Sequence, residues 1–115
     1  MKRAAKKDAN HGAIVQALES VGAYVKDTSQ LKHAFDILVA YRCKLYVMEI
    51  KNPEYLPKQY DRERLEKALE DGECKCMVGF QSVGVTYHIV ATIDEALEII
   101  GAKQIKTINQ NIKTK

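Results

Sequence analysis

Two apolar stretches, Phe35-Asp36-Ile37-Leu38-Val39-Ala40 and Leu45-Tyr46-Val47-Met48-Glu49-Ile50-Lys51, decide the fold of this chain, with Arg42-Cys43-Lys44 as the tight link between them. Both are of strand length and rich in β-branched and aromatic residues, so the pair reads as an antiparallel hairpin. Asn52-Pro53 ends the second strand, because proline cannot donate to a ladder. Strand side chains alternate, which puts Glu49 and Lys51 on one face and Ile50 on the other. Opposed residues of a hairpin lie about 5 Å apart, so Asp36 and Glu49 can stand side by side.

Two carboxylates so placed repel each other unless a cation lies between them. Magnesium or manganese suits oxygen ligands and keeps bound waters. Such an ion lowers the pKa of a bound water and stabilises charge on a phosphoryl oxygen. Lys51 would add fixed positive charge beside the phosphate. Glu-x-Lys alone is short enough to arise by chance, and the plainer alternative is a cross-strand ion pair. Burial favours the chemical reading, since both acids sit in apolar surroundings where an uncompensated charge is costly.

Working outward, Asp8 to Val21 reads as a helix that Asp8 or Asn10 can cap, with Ile14, Val15, Leu18 and Val21 on one face and Gly22 as terminator. Ala23 to Lys26 is a short strand, and Thr28 to Ala34 a polar loop. Residues 52–72 hold two prolines and a dense charge mix and read as a polar excursion, helical in part between Gln59 and Leu69. Glu73 to Val83 is a helix led in by Asp71-Gly72, with Cys76, Met77, Phe80 and Val83 on one face. Val85 to Val90 is a strand. Thr92-x-x-Glu95 is a capping-box pattern that opens a last helix, Ile93 to Ile100. The order helix, three strands, helix, strand, helix makes an α/β chain: a small mixed β-sheet flanked by helices.

The 115 residues suffice for one domain, expected over 1–101, and are too few for two ordinary ones. No apolar run approaches the roughly 20 residues of a membrane span, and the basic start lacks the apolar stretch of a secretory signal. Cys43, Cys74 and Cys76 are too few for a disulfide scaffold or a zinc site, and reduced thiols point to a cytoplasm. The net charge of +3 hides an asymmetry: eight of the 18 cations lie in residues 1–7 and 102–115, while all 15 acids lie between. The basic arm with Lys2, Arg3, Lys6 and Lys7 and the basic tail are therefore candidate handles on a phosphate backbone. Lys58, Arg62 and Arg64 are further candidates, although a solvated face explains them as simply.

In their order these motifs resemble the core of the PD-(D/E)xK nuclease superfamily, and more closely its small stand-alone phage and bacterial VRR-NUC members. The likeness includes a first helix with Asp8, Asn10, Ile14, Val15, Ala17 and Leu18 in place. It ends with the Gly84 to Val90 strand and Glu95-Ala96-Leu97, and so spans residues 6 to 101. The resemblance implies a restriction-endonuclease-like fold and a metal-dependent DNA endonuclease selective for branched DNA such as Holliday junctions. It further implies a homodimer in the cytoplasm, that of the host if phage-encoded. By carry-over, Asp36, Glu49 and the Ile50 carbonyl would hold Mg2+ or Mn2+, and Lys51 would be the catalytic lysine. Phe35 replaces the usual proline. Asn10 or His11 stands where relatives have a first-helix acid or glutamine, and Glu73, with Gln59 as competitor, stands for the residue that opens the following helix. The missing first-helix acid leaves an alternative, a module that binds structured DNA without cutting it.

Overall fold

The structure, a computed structural model, describes residues 9–102. Its elements are α1 (Ala9–Ser20), β1 (Tyr24–Asp27), β2 (Ile37–Tyr41), β3 (Lys44–Ile50), a 3-10 turn (Pro53–Tyr55), α2 (Arg62–Lys67), α3 (Asp71–Ser82), β4 (Tyr87–Val90) and α4 (Ile93–Ile100). The strands form one mixed sheet in the order β1-β2-β3-β4. β1, β2 and β3 run antiparallel in sequence, and β4 pairs parallel to β3. Among the described residues no helix is long and apolar enough to cross a membrane.

The expected hairpin is present, and its register pairs Ile37 with Met48 and Tyr41 with Lys44. Arg42 and Cys43 make a two-residue turn with φ of 49° and 69°. Both values are left-handed, as a type I′ hairpin turn demands. β2 starts at Ile37, one residue after Asp36, because the β2–β3 ladder bulges there: Asp36 N donates at 3.1 Å to the O of Met48, the partner of Ile37, while Thr28 N donates to Asp36 O at 2.8 Å.

Strand alternation divides the core in two. Ile37, Val39, Met48, Ile50 and Val90 pack on one face with Ile14 and Leu18 of α1 and Ala96, Leu97 and Ile100 of α4. Val47, Tyr87 and Ile89 pack on the other with Leu65 of α2 and Met77 of α3. Asp36, Glu49 and Lys51 continue this second face toward one end of the sheet.

Several expectations need correction. α2 is an additional helix in the element order. The 52–70 stretch is not an excursion, because Leu56, Tyr60, Leu65 and Leu69 join the second core. Asp71-Gly72 lies inside α3, not ahead of it. Val83 is exposed, since α3 ends at Ser82, before the helical repeat reaches it. Asn10 is a residue of α1 instead of its cap, and Asp8 lies outside the described residues. The Thr92–Glu95 capping box at α4 is as read, and Gly101 closes that helix at φ 80°.

Candidate active site

At its site end the sheet carries its acids and its lysine on the face covered by α3. Asp36 precedes the Ile37–Met48 pair and its own N–H bonds Met48 O, a bulge that sets its carboxylate beside Glu49 and against the Ile50 N–H. Asp36 Oδ2 accepts a hydrogen bond from Ile50 N at 2.8 Å. That bond fixes the carboxylate and leaves its other oxygen available. The main chain around Asp36 is held as well: Thr28 Oγ1 donates to Phe35 O at 2.8 Å, and the buried Tyr87 hydroxyl donates to Ala34 O at 2.7 Å.

Glu49 is 4% exposed. Lys51 Nζ lies 3.5 Å from Glu49 Oε2 and 2.9 Å from Glu73 Oε1. Glu73 comes from the first turn of α3, where its Oε1 also accepts Glu70 N at 2.9 Å. The ammonium is thus shared between an acid from its own strand and an acid delivered by a helix. Glu73 serves as a capping group and as a partner of Lys51 with the same oxygen.

The ionisation of the cluster follows from this arrangement. Burial pushes Glu49 up to about 9, with the Asp36 and Glu73 charges adding to it and Lys51 opposing. Burial also raises Asp36, against the Ile50 hydrogen bond and the nearby cations. For Lys51, burial favours the neutral amine, but the Glu73 and Glu49 carboxylates outweigh it and raise its pKa. Glu73 is held down because hydrogen bonds from Lys51 and Glu70 N outweigh its own burial. At neutral pH one strong ion pair, Lys51–Glu73, therefore stands beside two acids in a site that resists their charge.

A cavity of about 720 Å³ opens over these residues. Its walls are the β1–β2 loop, the ends of β2 and β3, the 3-10 turn and the start of α3. Asp36, Glu49, Glu70 and Glu73 outnumber Lys32 and Lys51 there. Once the two buried acids ionise, a phosphodiester would meet net negative charge unless cations enter with it. His33, at φ 59°, packs against Gly72 so closely that any Cβ at position 72 would collide with its ring. This contact seats the loop on the first turn of α3.

The donor chemistry fits a hard divalent ion. Asp36, Glu49 and the Ile50 carbonyl supply only oxygens, and the raised pKa of Glu49 comes first from its burial and then from the neighbouring acids. Two side chains would leave the remaining positions to water, as magnesium usually does. Among the described residues no group of three His, Cys, Asp or Glu side chains is arranged to hold a metal, and Lys51 stands between Glu49 and Glu73.

The other candidates fall into place around this centre. Asn10 Nδ2 donates to Lys51 O at 2.9 Å and to Ala91 O at 3.0 Å, so it ties α1 to the ends of β3 and β4. His11 is buried, because α1 turns it onto the sheet; its Nε2 lies 3.4 Å from Asp27 Oδ2. Gln59 is exposed and does not line the cavity, whereas its competitor Glu73 does. Arg62 pairs with Glu66 at 2.7 Å within α2, Arg64 is on the same helix, and Lys58 is exposed before it; none lines this cavity. Lys2, Arg3, Lys6 and Lys7 and the tail from residue 103 lie outside the described residues.

Sequence reasoning missed Glu70, Lys32, His33 and Tyr55 as neighbours of the site. Only Glu70 had a local signal, the Glu70-x-x-Glu73 spacing ahead of a helix. No family model, curated protein or solved structure matches this chain, so what it does has to be argued from the site itself.

Proposed function

We propose that this chain is a divalent-metal-dependent endodeoxyribonuclease of the PD-(D/E)xK type, resembling VRR-NUC nucleases, that cuts branched DNA such as Holliday junctions. The observation that carries the proposal is that Asp36, tied to Ile50 N, Glu49 and Lys51 line one cavity at the end of β3, with Lys51 Nζ 3.5 Å from Glu49 Oε2. Asp36, Glu49 and the Ile50 carbonyl would hold Mg2+ or Mn2+. When bound, such an ion supplies an activated water and stabilises charge on the phosphate. The Ile50 N–H orients the Asp36 carboxylate. Glu73 holds the Lys51 ammonium charged and in place, where it can offset charge building on a phosphoryl oxygen. Cutting a near two-fold symmetric junction on both strands suits a C2 homodimer.

The test is cleavage of a four-way junction by the full chain with magnesium or manganese. Wild type should cut, while Asp36→Ala and Lys51→Ala should lose activity by a factor on the order of 100 or more. Equal cleavage by all three proteins would end the proposal. A second reading is favoured by one observation, the Lys51 ammonium standing between Glu49 and Glu73. In that reading the centre is a structural ion-pair cluster in a module that binds structured DNA without cutting. It predicts salt-sensitive junction binding by wild type with no metal-dependent product.

A further inference from the structure

The cavity carries more than its charges require. Tyr55 and Leu31 line it, and they are 78% and 59% exposed. They come from different segments, Leu31 from the β1–β2 loop and Tyr55 from the 3-10 turn four residues beyond Lys51. Isolated exposed apolar residues are common on any surface and need no explanation. These two differ because rigid backbone holds them beside the acid and lysine centre.

The turn under Tyr55 is fixed at both ends. Asn52 Oδ1 accepts Glu54 N at 2.9 Å, Tyr55 N donates to Asn52 O at 3.0 Å, and Leu56 N donates to Pro53 O at 3.1 Å. Pro53 restricts the first residue of the turn, and Leu56 is anchored in the second core. The loop under Leu31 is fixed as well. Leu31 N donates to Thr28 O at 2.9 Å, and Asp27 Oδ1 accepts both Ser29 N and Ser29 Oγ. An aromatic ring carried on a hydrogen-bonded turn and open to solvent is a stacking platform.

We propose that Tyr55, with Leu31 on the wall of the same cavity, receives an unpaired nucleobase next to the phosphate that the acid and lysine centre acts on. The substrate class is therefore DNA with an unstacked nucleotide at the cut site. The inference rests on the endonuclease reading for the phosphate and adds the base. A tyrosine hydroxyl can itself donate to a phosphate, but Leu31 has nothing to offer one, and Tyr55→Phe separates ring from hydroxyl. Bases within a duplex are stacked on each other and present only their edges, so a ring at the cavity mouth can stack only on a base already released from its neighbours. The cavity volume lies within the range of pockets that bury small organic ligands, and it exceeds what a phosphate needs.

The experiment uses the full chain with magnesium or manganese and two DNAs of one sequence, a continuous duplex and a duplex with a bulged 2-aminopurine. Cleavage rates and 2-aminopurine fluorescence are measured for wild type, Asp36→Ala, Tyr55→Phe and Tyr55→Ala. Wild type and Tyr55→Phe should prefer the bulged DNA and quench its fluorophore. Tyr55→Ala should lose the quenching and roughly ten- to hundred-fold of the preference, the usual effect of removing one stacking ring. If Tyr55→Ala keeps both the wild-type preference and the quenching, or if wild type never quenches, the inference is overturned. Failure of the endonuclease reading has another signature: no cleavage that depends on Asp36, while Tyr55-dependent quenching persists. Quenching of that kind would support base capture by a non-cutting module.

Discussion

The first turns of α3 and α4 carry the same local device and use it differently. In each, a glutamate three residues past the cap accepts the cap residue's own N–H: Glu73 from Glu70 and Glu95 from Thr92. Glu95 spends the rest of its capacity on the fold, accepting Ala91 N at 2.7 Å and the Tyr60 hydroxyl at 2.7 Å. Glu73 spends it on Lys51, a residue of the central sheet. The capping geometry is local and says nothing about which partner lies beyond the helix end. Tertiary structure decides whether a capping acid is architecture or part of a site.

Replacing the two glutamates breaks that comparison with the largest expected effect. Glu73→Ala should lower junction cleavage by roughly 10- to 100-fold, the usual cost of losing a group that orients a catalytic one. The loss should grow at high pH, because without Glu73 the burial of Lys51 favours its neutral amine. Glu95→Ala should lower stability by about 1–3 kcal/mol, since it removes acceptors from buried or capping donors. Its activity per folded molecule should stay at the wild-type level. Steady-state rates normalised to the folded fraction distinguish the two. If both variants lose activity only in proportion to unfolding, Glu73 is architecture like Glu95.

Much of this contrast could be read from the sequence, and the unread part has a physical reason. The Thr92-x-x-Glu95 pattern is a recognised capping signal because threonine is a good cap. Glu70-x-x-Glu73 escaped notice because glutamate is a poor one. The Ile37–Met48 register was legible because it follows from two alternating strands and a two-residue link, whereas the bulge that turns Asp36 toward Ile50 N was not. Glu73 was the expected residue with Gln59 as its competitor, and what separates the two is a tertiary choice. That choice depends on how α2 buries Leu65 and how Gly72 admits the His33 ring, which brings the start of α3 over the lysine. Asn10 was misread as a cap for a similar reason. Its two acceptors, Lys51 O and Ala91 O, belong to strands 41 and 81 residues away.

A smaller effect sharpens the comparison through pH. Glu49 keeps its proton up to about 9 in the folded protein, whereas an ordinary glutamate loses it near 4.5. Between those values the folded state binds more protons than the unfolded one, so stability falls as pH rises. Asp36, also raised, adds to the fall. The lowered Glu73 has the opposite sign, but its contribution is lost only as pH falls through the acid range. Thermal melts of metal-free protein should therefore show a Tm at pH 9 below that at pH 5, and Glu49→Gln should flatten the slope. Magnesium or manganese should restore the Tm of wild type at pH 8–9 and leave Glu49→Gln largely unmoved, because ligand stabilisation requires a site that binds. A wild-type melt indifferent to both pH and divalent ions would remove the case for a charge-deficient pair.

The smallest effect lies at the opposite end of the hairpin, at Arg42 and Cys43. These residues hold the turn at positive φ without being glycine or asparagine, which stores backbone strain in the fold. Replacing them with Asn-Gly fits the type I′ geometry. The gain is offset in part by the extra freedom of glycine in the unfolded chain. It is also reduced by loss of the Arg42 guanidinium from above the Tyr41 ring, where it sits 5.1 Å from the centroid. Such a contact contributes about 0.5–1 kcal/mol at an exposed site. The net change should be a stabilisation below about 1 kcal/mol, read as a small rise in the denaturant midpoint with an unchanged m-value. Cleavage should not change, because the turn lies five residues along β3 from Glu49 and touches none of the groups that hold Lys51. A drop in activity from this substitution would mean that hairpin register, and with it the placement of Asp36 beside Glu49, depends on the strained turn as well as on the apolar alternation of the strands.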